Sequence, residues 1–180
     1  MDIYKHLEEF QQEIITPLNL AELDEKYYQL SKLENPQAAN EIRRVDFSEY
    51  KSLIKTGFQR AIKLSQANLY KGIYFEYDID NDWQTNCFLC PIYNTIEQND
   101  EDWACDFDED FNIGEFSELK EMYKNYYHHE TRFDSYINLY LIVRTVVAFK
   151  EAIGNELNNT QAAVCVAFHD QSVITRLKRD

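Results

Sequence analysis

Two runs of carboxylates alternate along this chain with a spacing that suits oxygen ligation of a hard cation. Asp78, Asp80 and Asp82 form one run, and Asp106, Asp108 and Asp110 form the other. Both match the opening ligand positions of an EF-hand loop, but the rest of that motif is missing. Where a glycine should permit the sharp turn, Trp83 stands in one run and Phe111 in the other. Where a bidentate glutamate should close the site, there is Leu89 or Ser117. An EF-hand is not expected. The cluster keeps a capacity for weak cation binding, with no dedicated metal site and no cofactor.

Cys87-Phe88-Leu89-Cys90 has the C-x-x-C form of zinc and redox centres. It falls in a segment that reads as a strand, where residues three apart face opposite sides, and no second ligand pair follows. These two thiols, with Cys105 and Cys165, are expected to be buried and structural. His128-His129-Glu130 offers neighbours that do not face one another on a helix. His6 and His169 have no acid or nucleophile at motif spacing. No nucleophile elbow, phosphate loop or dinucleotide fingerprint occurs, and only four glycines are available to build one. No catalytic residue is therefore nominated, although an enzyme can assemble its site from scattered positions. Arg144 is the only charge between Ser135 and Phe149. It needs a buried partner, and an ion pair tying its helix to the sheet is the expectation; a clamp on a ligand carboxylate is the alternative.

The strongest chemical signal is the distribution of charge. Between Lys71 and Lys120 lie 48 residues with 14 acids and no Lys or Arg, whereas the remaining chain balances 18 acids against 18 bases. The whole net charge of −14 arises in this middle stretch. Such segregation creates a directional field that attracts a cation or a basic partner. It also disfavours nucleic acid and anionic membranes, which it repels. Trp83, Trp103, Phe107, Phe111 and Phe116 lie among the acids, and aromatic anchors beside charge are typical of contact surfaces. The nominated contact set is Trp103, Asp106, Asp108, Glu109 and Asp110, with Trp83, Asp80 and Asp82 as a second candidate. The plainer alternative is a solvated loop in which Cys105, Phe107 and Phe111 point inward. It explains less well why no nearby base neutralises the charge.

These residues must be positioned by a single domain spanning 1–180, with a helical part over 1–67 and a hairpin–helices–hairpin part over 69–180. Ile3, Leu7, Phe10 and Ile14 recur at helical spacing, as do Leu20, Leu23, Tyr27 and Leu30. Pro17 and Asn19 separate the two helices, and Asn35-Pro36 ends the second. Asp46 and Glu49 suggest a capping box opening a third. The chain from Leu69 to Tyr77 suits a strand, Asp78 to Asp82 a turn, and Thr85 to Tyr93 the returning strand. An acidic loop from Glu97 to about Asn112 follows. Ser117 opens another helix, Asp134 caps a long apolar one reaching Leu157, and Ala162–Phe168 with Val173–Leu177 forms a second hairpin. The fold class is α+β: an antiparallel sheet of about four strands from two hairpins, packed against the N-terminal and central helices. The acidic start, MDIYKHLEEF, is no secretory signal, and the longest apolar stretch is broken by Arg144. A cytoplasmic protein with reduced cysteines is expected.

The strand pair ending in Asn94-Thr95, the following Trp103 and the terminal hairpin with Asp170 at its turn resemble an uncharacterised bacterial domain family found beside polymorphic toxins. A concentrated acidic face on an α+β domain likewise resembles the immunity proteins of polymorphic-toxin and contact-dependent inhibition systems. The resemblance implies a bacterial source and a tight, specific, non-catalytic inhibitor of a partner toxin; the acidic surface makes a basic toxin domain, with a nuclease as the expected target, the leading reading. The alternatives are a metal-dependent hydrolase using the clustered carboxylates, and a general interaction domain.

Overall fold

Caps and apolar periodicity set most element boundaries in the computed structural model, which describes residues 2–16, 19–98, 100–126, 135–171 and 173–178. Helix α1 (Ile3–Ile14) starts at Asp2, whose carboxylate accepts the Tyr4 N–H, and buries Ile3, Leu7, Phe10 and Ile14 along one stripe. Asn19 caps α2 (Leu20–Glu34) in the same way. Asn35 ends α2 and at once caps α3 (Pro36–Arg44), accepting from the N–H groups of Gln37 and Ala38. Pro36 then occupies the first helical position, where no N–H is needed. The Asn-Pro pair is thus a junction between two helices; the periodicity of so short a helix does not stand out in sequence. Asp46 stands just ahead of α4 (Ser48–Asn68), bonding Ser48 N at 2.9 Å and Ser48 Oγ at 2.6 Å instead of the Glu49 N–H of a capping box.

The chain is α+β, and its sheet has five strands in the order β3-β2-β1-β4-β5. They are β1 (Gly72–Asp78), β2 (Gln84–Cys90), β3 (Glu109–Gly114), β4 (Ala163–Phe168) and β5 (Thr175–Arg176). Both expected hairpins form, but they join through a parallel pairing of β1 with β4. The return over α5 (Ser117–Tyr126) and α6 (Tyr136–Ile153) explains this: the chain crosses the sheet and re-enters beside β1 running the same way. The extra strand, β3, comes out of the segment expected to be an acidic loop.

Helix α6 is buried on nearly all sides, packing against α2 and α4. Ser135 caps it through the N–H groups of Ile137 and Asn138; the expected cap Asp134 lies outside the described residues, as do Pro17 and His128-His129-Glu130. The helix stops at Ile153, and a 3₁₀ turn (Gly154–Asn159) carries Leu157 into the core. Arg144 leans on the Phe47 ring, donates to the Val45 carbonyl at 3.2 Å and lies 3.6 Å from Asp24. It therefore ties α6 to α2 and the α3–α4 connection, and not to the sheet as expected. Burial pushes the Asp24 carboxyl up despite the attraction of Arg144.

Candidate functional site

Strand alternation gives the sheet two different faces. Ile73, Phe75, Tyr77, Cys87, Leu89, Phe111, Val164, Val166 and Phe168 enter the main core beneath the helices. Tyr74, Cys90, Ala163, Cys165 and Ala167 point the other way, where Trp103, Ala104 and Ile174 cover them in a smaller cluster. Cys87 and Cys90 accordingly face opposite sides, as expected for three residues' separation in a strand. Burial pushes the Cys87 thiol up and raises Cys90 to about 12, which keeps both protonated and unreactive. Cys105, expected to be buried, is exposed instead.

The acidic segment is a fitted cover over this second face. Trp103 is 1% exposed and lies against Tyr93, edge to face at 4.9 Å, and Tyr74 at 6.3 Å. Its ring passes so close to Gly72 that a Cβ there would lie 2.7 Å from Cζ3. Arg176, on β5, fixes the cover from below. Its guanidinium donates to both oxygens of Glu101 at 2.7 and 3.0 Å, to the Ile174 carbonyl at 2.8 Å and to the Asn94 carbonyl at 3.3 Å. A planar guanidinium suits this two-pronged contact. Bases distant in sequence thus neutralise part of the acidic stretch, and Lys120 does the same for Asp82.

The two nominated contact clusters therefore separate. Trp83 is fully buried on the helix side, stacked on Tyr77 and donating its indole N–H to Thr145 Oγ1 at 3.1 Å. Asp80 accepts the Tyr123 hydroxyl at 2.9 Å. With Asp82 paired to Lys120, this turn fastens the hairpin to α5 and α6. It lies beyond the opposite end of β2 from Glu109, roughly 20 Å away at strand spacing. Trp83 and Trp103 present no free surface, so neither is a contact anchor; their size and hydrophobicity are used in packing.

Asp106, Asp108 and Asp110 are exposed, and among the described residues none of them has an ion-pair partner. Glu109 turns to the helix side, where Tyr70 Oη and Asn68 Nδ2 reach it at 3.2 and 3.4 Å. Phe107, which the plainer alternative points inward, is 42% exposed and rests on Phe88 at 4.7 Å. Phe88 in turn stacks on Tyr74 at 5.8 Å. Register places Asp110 opposite Phe88 and Phe88 opposite Tyr74, with Asn112, Asn86 and Glu76 in the next row. Asn112 donates to Asn86 at 3.1 Å, and Glu76 accepts Tyr74 Oη and meets His169 Nδ1, each at 3.1 Å. The part of this face beyond the cover is therefore a patch of carboxylates, amides and an aromatic pair.

The patch holds Phe88, Asn86, Asn112, Glu76 and His169, none of which was nominated from sequence. The alternation of β2 was a signal for Phe88, whereas His169 comes from a distant hairpin. Among the described residues no three His, Cys, Asp or Glu side chains gather in a group that could hold a metal ion, and no helix is long and apolar enough to cross a membrane. Comparison with protein-family models, curated proteins and solved structures finds no match.

Proposed function

We propose that this protein is a non-catalytic cytoplasmic binding protein that neutralises a basic toxin domain, with a nuclease as the preferred target, in the manner of the immunity proteins it resembles. The observation that carries this reading is the row of exposed carboxylates, Asp106, Asp108 and Asp110, without ion-pair partners among the described residues and adjoining the half-open Phe107–Phe88 pair. Holding unneutralised acids together costs stability through repulsion, and a partner that brings bases offsets that cost. A nuclease binds phosphates through Lys and Arg, so its cleft presents the complementary field. The aromatic pair then slows release once the charges have steered the encounter.

The reading is tested by co-expression with the product of the adjacent reading frame, followed by co-purification and binding kinetics. A stable complex is expected whose association rate falls steeply with salt. The combined change Asp106→Lys, Asp108→Lys, Asp110→Lys should slow association by on the order of tenfold or more at low salt. A complex that forms equally fast at low and high salt, or that ignores the triple change, would remove the acidic patch from the interface.

A further inference from the structure

The sheet has two edges, and the molecule treats them differently. At β5 the side-chain amide of Gln11, on α1, takes the place of a neighbouring strand: its Oε1 accepts the Arg176 N–H at 2.6 Å, and its Nε2 donates to the Arg176 carbonyl at 3.4 Å. That edge is closed by a buried side chain. At β3, by contrast, β2 alone pairs with the strand, and no other described group bonds to the backbone of 109–114. An open edge is a row of unused donors and acceptors, normally blunted by a covering element, a proline or a lysine. Among the described residues no element covers the edge of β3, and 109–114 holds no proline or lysine; what blunts it is a bulge at one end and outward polar side chains, Asp110 and Asn112.

From this asymmetry we propose that the outer edge of β3 is a docking site for an extended segment of the partner, added as a sixth strand in which basic and apolar residues alternate. The proposal rests on the preceding reading of a basic partner and specifies how that partner is held. Strand addition takes its affinity from main-chain hydrogen bonds and its specificity from alternate side chains. Along β3 the two faces differ as such a segment requires. Asp110 and Asn112 lie on the open face, with Asp108 preceding the strand, and they meet basic side chains. Glu109 and Phe111 lie toward α4; Glu109 is already bonded to Tyr70 and Asn68, and Phe111, with the Arg60 guanidinium 4.0 Å from its ring centre, meets an apolar side chain. The same carboxylates repel the edge of a second copy, so the strand is available to an oppositely charged chain while identical chains are kept apart. A bulge opposite Thr85 and Asn86 ends the regular edge, which confines docking to 109–112.

The test uses the full chain and a short synthetic peptide alternating lysine and valine, beside the same peptide N-methylated at every amide. Both carry the same charge, but the second has no main-chain N–H to donate. Affinity is measured at two salt concentrations, and amide hydrogen exchange is followed on the protein. The unmodified peptide is expected to bind roughly tenfold more tightly than the methylated one, because the main-chain bonds are lost, and to slow exchange within 109–114. Equal, salt-sensitive affinities without local protection would overturn strand addition while leaving the acidic patch as the attracting surface. Absence of salt-sensitive binding by either peptide would overturn both.

Discussion

Arg176 decides where the acidic segment sits, because its guanidinium is the meeting point of β5, the Asn94 backbone and Glu101. Its side chain is 4% exposed, so removing it leaves acceptors that had been desolvated for its sake. Arg176→Ala should cost on the order of 3 kcal/mol in chemical denaturation, and Arg176→Lys should recover only part, since an ammonium cannot make the two-pronged contact. A loss within about 0.5 kcal/mol, typical of an exposed pair, would show that the cover does not depend on this bolt. His169 gives a prediction of a different kind. The Glu76 carboxylate bonded to it, aided by the charges of Asp170 and Asp78, holds its imidazolium above the ordinary histidine value of 6.5, against a smaller opposing effect of burial. A group whose folded-state value is raised stabilises fully below its unfolded value, and that contribution disappears as pH rises through the folded value. The stability difference between the wild type and His169→Gln should therefore be largest below pH 6.5 and fade above it. A difference that grows toward alkaline pH would contradict the Glu76–His169 contact.

The boundary between helices and strands was legible where one periodicity rules a segment, as in α1, in α4 and in the β1–β2 hairpin. It failed where two influences share the same residues. From Glu97 onward the charge density argues for solvent, yet Trp103 and Phe111 are drawn into two separate cores on opposite faces of the sheet. The segment resolves this by folding as a cover and then a strand, so that Asp106, Asp108 and Asp110 face outward while Glu101 and Glu109 find partners. Sequence could not reveal the parallel β1–β4 pairing either, because pairing direction depends on where α6 returns the chain. Gly72 gives a test of the cover as an element. A methyl group there would meet Trp103 at 2.7 Å and the Cys90 side chain at 3.3 Å, at the start of a strand held by partners on both sides. Gly72→Ala should cost about 1–3 kcal/mol, as over-packed sites do, and should shift tryptophan emission to longer wavelength as Trp103 is pushed toward water. An unchanged spectrum and stability would mean that the ring has room to yield. Of the nominated residues, the exposure of Asp106, Asp108 and Asp110 was legible and the burial of Trp83 and Trp103 was not, because composition reports which side chains attract one another but not which face of a strand they occupy.

At the scale of the whole molecule, the charge of −14 does not spread evenly, and internal pairing only partly relieves it. Glu101 and Asp82 have found Arg176 and Lys120, while Asp106, Asp108 and Asp110 stand without ion partners among the described residues. Carboxylates in such a row repel one another through water, and this repulsion falls as salt shortens the screening length from about 30 Å at 0.01 M to about 3 Å at 1 M. The free protein should therefore gain a few degrees in Tm as monovalent salt is raised across that range, the reverse of a fold held by surface ion pairs. The triple change Asp106→Asn, Asp108→Asn, Asp110→Asn should raise Tm in low salt and flatten its dependence on salt, because it removes the repulsion itself. If that variant is more stable alone and yet loses the basic partner, the acids are maintained for binding at the expense of stability. If it is no more stable in low salt, the row carries no electrostatic cost, and the main reason for assigning it a partner disappears.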